Sequence, residues 1–192
     1  MARSKEFDPD VALARAMELF WRQGYEATSI ADLVTRLGIA KASLYTTFGS
    51  KHDLYLAALD RYISNPDPDP VEVLAGPGPV LPAIQTLLDI YAAPGPAERP
   101  VGCLLVAAAV ECPADDLAIR GRLERSWSIS EVTLTSALLR ARAQGEIRAD
   151  AEPAALARFL LVLMQGIQVI KSSREGLHRA RDAARHALDV AR

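Results

Sequence analysis

The chain is poor in the residues from which catalytic and metal sites are usually built. Its 192 residues include three histidines and two cysteines, and aromatic residues make up 6% of the sequence. The histidines are scattered, and the sequence contains no Gly-x-Ser-x-Gly, no His-Glu-x-x-His and no glycine loop of the phosphate-binding type. These absences argue against a metal site, a bound cofactor and the enzyme classes that carry those motifs.

Charge of one sign and long apolar segments are also scarce. The formal net charge is −2 at pH 7, so affinity for a polyanion has to come from local placement of basic residues. No long apolar stretch follows the N-terminal charges, and the longest apolar run, 103–110, is too short to span a bilayer. With two cysteines and no Cys-x-x-Cys, the sequence predicts a cytoplasmic protein with reduced thiols.

The most informative segment that the sequence does contain is 29–48, where two short amphipathic stretches meet at Gly38. Apolar residues recur at helical spacing before Gly38, and Leu44 and Phe48 share one face after it. Glycine accepts the left-handed conformation that a sharp turn between helices requires. This pattern predicts a helix-turn-helix, whose second helix enters the major groove of DNA. An ordinary helical hairpin with a solvated polar face is the alternative.

Helix-start signals divide the N-terminal region into four helices. Asp8 precedes a proline at the first helical position, and Ser29 with Asp32 and Ser50 with Asp53 fit the capping-box pattern. The predicted helices span about 9–23, 29–37, 41–47 and 51–63.

The order and spacing of residues in this region resemble the DNA-binding domain of TetR/AcrR-family transcriptional regulators. The resemblance covers residues up to about 65. It is carried by Phe20, Thr28, Ser29, Ile30, Ala31, Leu37, Gly38, Ile39, Lys41, Ala42, Ser43, Leu44, Tyr45, Phe48, Ser50, Lys51 and Leu54. It implies an all-α protein with an N-terminal three-helix helix-turn-helix DNA-binding domain and a C-terminal helical bundle for ligand binding and dimerisation.

By position, the resemblance implies a set of DNA contacts. The start of the second helix and Lys51 at the start of the fourth would bind phosphate, helped by the helix dipole. The segment from 33 to 52 has three basic residues and no acidic one, which suits such contacts. The implied DNA-binding residues are Thr28, Ser29, Lys41, Ala42, Ser43, Tyr45, Thr46, Thr47 and Lys51. The sequence departs from the family pattern at Ala40, where Ser or Thr is usual as an N-cap, and at Thr47, where His is common.

Prolines mark the end of this first domain. Six of the twelve prolines lie within 66–82, and each removes a backbone donor and clashes with a preceding helical turn. We therefore expect a non-helical linker there, with a disordered interaction tail as the alternative. The predicted domains are 1–64 for DNA binding, with its helix-turn-helix at 29–48, and 65–192 for regulation and dimerisation.

Every segment beyond the linker has a helical pattern, with predicted helices at 81–92, 101–112, 113–145, 153–171 and 176–191. The stretch 159–164 is apolar on all sides, which indicates burial on more than one face. The last two helices from each of two chains would form a four-helix dimer interface, where the resemblance also places it; a larger monomer core is the alternative. The predicted interface residues are Phe159, Leu163, Ile167, Ala184 and Leu188.

Large amphipathic side chains in apolar helices are candidates for a ligand pocket, because they combine shape with a few hydrogen bonds. They are Tyr62, Tyr91, Trp127, Gln165 and Gln168, and Cys103 is a further pocket candidate. The alternative is a structural role, with Trp127 as a core residue and Gln165 or Gln168 as interface residues. Cys103 and Cys112 are predicted on opposite faces of one helix as small buried side chains, with a redox or electrophile sensor as the alternative.

The sequence thus predicts a ligand-responsive, DNA-binding transcriptional regulator. We expect a repressor that binds a pseudo-palindromic operator as a homodimer and is released by a small apolar or aromatic ligand. The alternative is an all-helical protein-interaction module that does not read DNA, although Lys41, Tyr45 and Lys51 favour phosphate over an apolar partner. An enzyme is a third possibility that no motif supports.

Overall fold

The computed structural model describes residues 7–96 and 99–191, and the regular secondary structure in those ranges is entirely helical. The all-α prediction is therefore confirmed. The elements are α1 Pro9–Gln23, α2 Ile30–Leu37, α3 Lys41–Phe48, α4 Lys51–Ser64, α5 Pro70–Leu74, α6 Val80–Ala92, α7 Leu104–Glu111, α8 Leu117–Ala143, α9 Pro153–Ile170, α10 Gly176–His186 and a 3-10 turn Asp189–Ala191.

The first four helices begin and end where the local sequence signals predict. Asp8 caps α1 by accepting the Asp10 N–H at 2.8 Å. Both capping boxes are formed, at the start of α2 and at the start of α4. Gly38 has φ 70° and ψ 33°, the left-handed conformation that ends α2 and turns the chain into α3.

The sequence predicted that the proline-rich segment would be non-helical, and this prediction is wrong in part. It contains the short helix α5, which begins at Pro70 and is capped by Asp69 through the Val71 N–H at 2.8 Å. Proline is excluded from a helix interior but is well suited to the first position, where its missing N–H would have no partner. The prediction failed because it treated all six prolines as helix breakers.

The chain divides into two compact units, and neither is continuous in sequence. The first comprises Met1–Asn65 together with Ala107–Leu123, and the second comprises Pro66–Val106 together with Glu124–Arg192. The sequence had predicted only the first of the two segments that build the first unit. We call residues 107–123, the end of α7 and the start of α8, the docking segment.

The second unit has a core shared by α6, α8, α9 and α10. Its fully buried side chains include Ile84 of α6, Leu138 of α8, Leu160 of α9 and Ala184 of α10. The two first-turn N–H groups of α6 are satisfied from outside the helix, because Glu146 accepts both at 2.8 Å. Apolar burial and a remote carboxylate cap together fix α6 in this unit.

The sequence predicted both cysteines within one helix, but the structure places them outside it, at its two ends. Cys103 immediately precedes α7 and Cys112 immediately follows it, and the two have intermediate exposure and form no disulfide with each other. Gly102 has φ 93°, so the chain has not entered the helix at this point and α7 starts one residue after Cys103.

Candidate nucleic-acid interface

The orientation of α3 is set by the residues that it buries. Leu44 is completely buried, whereas Ala42 and Thr46 are exposed at positions almost opposite to it on the helix. Tyr45 lies beside them and is 43% exposed. The Thr46 hydroxyl donates to the Ala42 carbonyl oxygen at 2.8 Å, which leaves its methyl group and oxygen lone pairs available. The outer face of α3 is therefore small and polar enough to approach base edges closely.

The start of α3 has no side-chain cap, as expected from Ala40. Lys41 is exposed at the first helical position. The first-turn N–H groups of this helix are consequently not engaged by a capping side chain, and a cationic side chain stands next to them.

Lys51 at the start of α4 is held by an aromatic ring. Its Nζ lies 4.3 Å from the centroid of the Tyr25 ring, a cation–π contact. The helix start itself is formed by Ser50 and Asp53, whose side chains satisfy each other's backbone N–H groups. The Ser50 hydroxyl, which donates to the Asp53 carboxylate at 2.7 Å, and the Ser50 N–H hold the pKa of Asp53 below its usual range, so the carboxylate stays charged.

Arg36 is less available for a phosphate contact than its position in the basic segment 33–52 suggested. Its guanidinium donates to the Glu18 carboxylate at 2.6 Å, and Arg22 donates to the same carboxylate at 2.9 Å. The hydrogen bond from Arg22 is the main cause that lowers the pKa of Glu18. One of the three basic residues between 33 and 52 is therefore paired within the chain, a tertiary contact that the local pattern did not reveal.

The start of α2 corrects one predicted DNA contact. Thr28 is completely buried, and its hydroxyl donates to the Gly24 carbonyl oxygen at 2.6 Å, so its side chain cannot reach a phosphate. Ser29 remains exposed but is engaged in the capping box with Asp32. The physical role of Thr28 is to join the end of α1 to the start of α2.

The docking segment contacts the α1–α2 turn and α4 at three polar points. Glu111 Oε2 accepts the Tyr25 N–H at 2.8 Å. His52 Nε2 lies 2.7 Å from Asp116 Oδ2, and Arg122 donates twice to Asp60, at 2.8 and 2.7 Å. These three contacts join residues 62 to 86 positions apart in sequence, and no periodic pattern could have predicted them.

In the second unit, three of the predicted pocket residues lie in one neighbourhood. Lys171 Nζ donates to the Tyr91 carbonyl oxygen at 3.4 Å, and Cys103 lies close enough to influence the pKa of both residues. Burial raises the pKa of Tyr91 to about 12 and lowers that of Lys171. Gly102 approaches the Gln168 carbonyl oxygen. Lys171 was not among the sequence candidates, because a lysine at a helix end is ordinarily a solvated residue.

The other three pocket candidates are placed differently. Tyr62 belongs to the first unit, where its ring meets Trp21 edge-on at 5.0 Å. Trp127 and Gln165 lie in the second unit with intermediate exposure. Within the described residues, the Trp127 indole N–H and the Gln168 side-chain oxygen are both buried without a hydrogen-bond partner. Arg140 Nε is a third such atom in the same unit, and buried polar atoms without a partner require a physical explanation.

Three of the five predicted interface residues lie in the core of their own chain. Ile167 is 1% exposed, Leu188 is 3% exposed and Ala184 is completely buried, so they are not available to a partner. Leu163 is partly buried against the same core. Phe159, in contrast, is 43% exposed. Within the second unit, the large apolar residues exposed on α8 and α9 are Ile129, Val132 and Leu139 of α8, and Phe159, Val162 and Val169 of α9.

Comparison with known proteins gives the family context of this geometry. The family model for bacterial regulatory proteins of the tetR family matches residues 12–58, and that for the tetracyclin repressor-like C-terminal domain matches residues 81–190. The chain is 36% identical to an uncharacterized HTH-type transcriptional regulator, YezE of Bacillus subtilis, over 99% of both chains. It is also 36% identical to the HTH-type transcriptional repressor ComR of Escherichia coli, over 91% of this chain and 83% of ComR.

Among solved structures, a cysteine-substituted variant of the TetR family regulator CifR, complexed with a 26 bp double-strand operator, has a TM-score of 0.87. It is 31% identical to this chain, and each chain is covered completely. The order of helices, the exposed face of α3 and both family models agree: the chain belongs to the TetR family of DNA-binding transcriptional regulators.

Proposed function

We propose that this regulator is a homodimeric repressor that binds a pseudo-palindromic operator and is released when a small molecule binds to its second unit. The observation that carries the DNA-binding part is the outer face of α3, where Ala42, Tyr45 and Thr46 are exposed between the cationic residues Lys41 and Lys51. This arrangement supports base contacts from the centre of the helix and phosphate contacts from its flanks. The DNA-binding residues that we retain are Ser29, Lys41, Ala42, Ser43, Tyr45, Thr46, Thr47 and Lys51.

The test is operator binding by fluorescence anisotropy, with a palindromic fragment from upstream of the gene and a scrambled duplex as control. Lys51→Ala is expected to weaken binding to both duplexes and to reduce the slope of log affinity against log salt by about one unit. Tyr45→Ala is expected to weaken operator binding more than scrambled binding, since its partly exposed ring stands beside the base-reading face. Equal affinity of the wild-type protein for both duplexes at physiological salt would refute sequence-specific reading.

Homodimerisation is supported by the apolar surface of α8 and α9, which we call the α8–α9 apolar face: Ile129, Val132, Leu139, Phe159, Val162 and Val169. On each helix these residues recur at spacings of three, seven or ten, so each set forms one stripe. Arg158 of α9 pairs with Glu131 of α8 at 3.2 Å, which joins the two helices near these exposed residues. A stripe this apolar and this exposed is typical of an interface with another protein.

Helix α9 meets the length and composition criteria for crossing a membrane, and only 28% of it is buried inside the chain, so its own core does not account for its apolar composition. A second copy of the chain accounts for the same exposed apolar surface in a cytoplasmic protein. The two explanations differ in what covers the helix, and the oligomeric state in solution without detergent distinguishes them.

A small-molecule effector is supported by the unsatisfied polar atoms of the second unit. A ligand that accepts a hydrogen bond from the Trp127 indole N–H, or donates one to the Gln168 oxygen, would remove the cost of burying that atom. We therefore propose an apolar or aromatic effector that carries a hydroxyl or carbonyl group. Thermal shift with a library of such compounds, followed by operator release, tests this proposal.

Modification of Cys103 is a second candidate trigger. The observation that favours it is the partial exposure of the Cys103 thiol, which lies close to Tyr91 and Lys171 in the second unit. If a Cys103→Ser variant loses its response to peroxide or alkylating agents but retains operator binding, the trigger is covalent. If both proteins respond equally to a reversible ligand, the effector is non-covalent.

The repressor assignment is supported by the similarity to ComR, which is described as a repressor. A reporter gene behind the operator would show higher expression in cells that lack the regulator. Lower expression in those cells would make the protein an activator.

A further inference from the structure

The Glu111 carboxylate lies at the end of α1, in the space that a side chain at Gly24 would fill. Its Oε2 accepts the Tyr25 N–H at 2.8 Å. A Cβ atom added to Gly24 would lie 2.5 Å from either carboxylate oxygen, and the φ of 85° at this position is one that other residues rarely adopt. Glycine at position 24 thus permits both the turn and the approach of the carboxylate.

Tyr25, which Glu111 fixes by its backbone, is the residue on which Lys51 rests. The Lys51 Nζ lies 4.3 Å from the Tyr25 ring centroid, and the same ring contacts Tyr55 at a centroid distance of 4.6 Å. Tyr55 is 1% exposed, and its hydroxyl donates to the thiol of Cys112, the residue next to Glu111. Two adjacent residues of the docking segment therefore hold both the backbone of Tyr25 and the ring that supports it.

The remaining contacts of the docking segment restrain α4 itself. His52, adjacent to Lys51, is paired with Asp116, and Asp60 two turns later is paired with Arg122. Asp116 also accepts the N–H groups of Ala118 and Ile119 at the start of α8, so its carboxylate is fixed from both sides. The start of α4 is thereby positioned from residues far away in sequence.

We propose that Glu111 is a positioning residue for DNA binding, which acts through Tyr25 to hold the Lys51 ammonium group where it meets a phosphate. The proposal rests on the phosphate contact assigned to Lys51 under the proposed function. A lysine side chain that is already ordered on a ring loses less conformational freedom when it binds, so its contact contributes more to affinity. The docking segment contributes no DNA contact of its own in this arrangement.

A double-mutant cycle of Glu111→Ala and Lys51→Ala tests the proposal. Removal of a negative charge near DNA alone strengthens binding, so the matched control is Glu26→Gln, which neutralises an exposed carboxylate next to Tyr25 without touching its N–H. Glu111→Gln retains an oxygen that can accept the Tyr25 N–H and serves as the conservative variant. Operator affinity is measured for each protein in a salt series from about 50 to 200 mM.

We expect Glu111→Ala to weaken operator binding about fivefold and to reduce the salt slope by about one unit, as Lys51→Ala does. Glu111→Gln should retain near wild-type operator affinity, and Glu26→Gln should bind the operator no more weakly than wild type. In a protein that already carries Lys51→Ala, Glu111→Ala should have no further effect on operator affinity. The proposal is overturned if the effects of Glu111→Ala and Lys51→Ala on operator affinity multiply in the double variant. It is also overturned if Glu111→Ala changes operator affinity only as Glu26→Gln does.

Folding is checked by the thermal midpoint of each variant. If Glu111→Ala unfolds the first unit, Glu111→Asp replaces it, since the shorter side chain keeps the charge but cannot span the same distance to Tyr25. A Lys51→Ala protein with unchanged affinity and slope would overturn the phosphate contact itself, and the role of Glu111 with it. An effect of Lys51→Ala that is independent of Glu111 would overturn only the positioning role.

Discussion

Substitution of Val162 by glutamate should separate the dimer without unfolding the chain. Val162 is 70% exposed in the single chain, so the change should alter the free energy of unfolding of the monomer by less than about 0.5 kcal/mol. In a two-fold dimer through the α8–α9 apolar face, each copy would bury a carboxylate without a partner. At a cost of about 2–3 kcal/mol for each copy, the dimer Kd should rise by about three to four orders of magnitude.

The assay is light scattering coupled to size exclusion, with circular dichroism to confirm folding. The matched control is Val71→Glu, which places the same charge on a half-exposed valine of α5, outside the α8–α9 apolar face. Val71→Glu should remain dimeric and bind the operator, whereas Val162→Glu should be monomeric and bind the operator far more weakly, because one half-site offers few contacts. A Val162→Glu protein that is still dimeric at nanomolar concentration would refute this interface.

Three further outcomes follow from the described contacts. If the Ala42 methyl group contacts a thymine methyl group of the operator, replacement of that thymine by deoxyuridine should weaken operator binding of the wild-type protein by about 1 kcal/mol, measured by anisotropy. The same replacement should not change operator binding of Ala42→Gly. Trp127→Ala should alter effector-induced release in the same assay while leaving operator binding without effector nearly intact, and an unchanged response would remove Trp127 from the effector site. Asp116 has a pKa held below its usual 3.8, mainly by the Ile119 N–H. Because its folded pKa is depressed, its contribution to stability is present above about pH 4 and lost as the pH falls through the folded pKa. Asp116→Asn should therefore lower the thermal midpoint at pH 7 and make it less sensitive to acid between pH 5 and 3, whereas parallel melting curves for the two proteins would contradict this.

The local parts of the first unit could be predicted from sequence because their signals are local. A serine and an aspartate three residues apart define the start of α2 and of α4, and Gly38 defines the turn between α2 and α3. Such signals act within one helical turn, where the chain has few alternatives. The orientation of α3 then followed from two apolar residues on one face.

The contacts that tie the first unit together could not be predicted, because they join distant segments. Nothing local to Glu111 indicates that its carboxylate meets the Tyr25 N–H, 86 residues away. The pairing of Arg36 with Glu18 is equally invisible to a count of basic residues. Side-chain chemistry sets what these residues can bind, and tertiary packing selects the partner.

The predicted dimer residues show a different limit. Hydrophobic periodicity identifies the apolar faces of a helix but does not say whether a face meets its own chain or another. Leu188 was expected at the dimer interface and is 3% exposed, in the core of its own unit. Leu188→Glu should therefore unfold the second unit, whereas Val162 is the position where a charge tests dimerisation.

The most direct test of the account is selection of bound sequences from random duplex DNA, followed by affinity measurement on the enriched site. We predict a pseudo-palindrome whose half-site centres lie about 34–36 Å apart or a multiple of this, bound at least about a thousandfold more tightly than a scrambled duplex at physiological salt. Enrichment should be lost in the monomeric Val162→Glu protein. Selection of sequences without two-fold symmetry, or no enrichment at all, would contradict a homodimer that reads DNA through the outer face of α3.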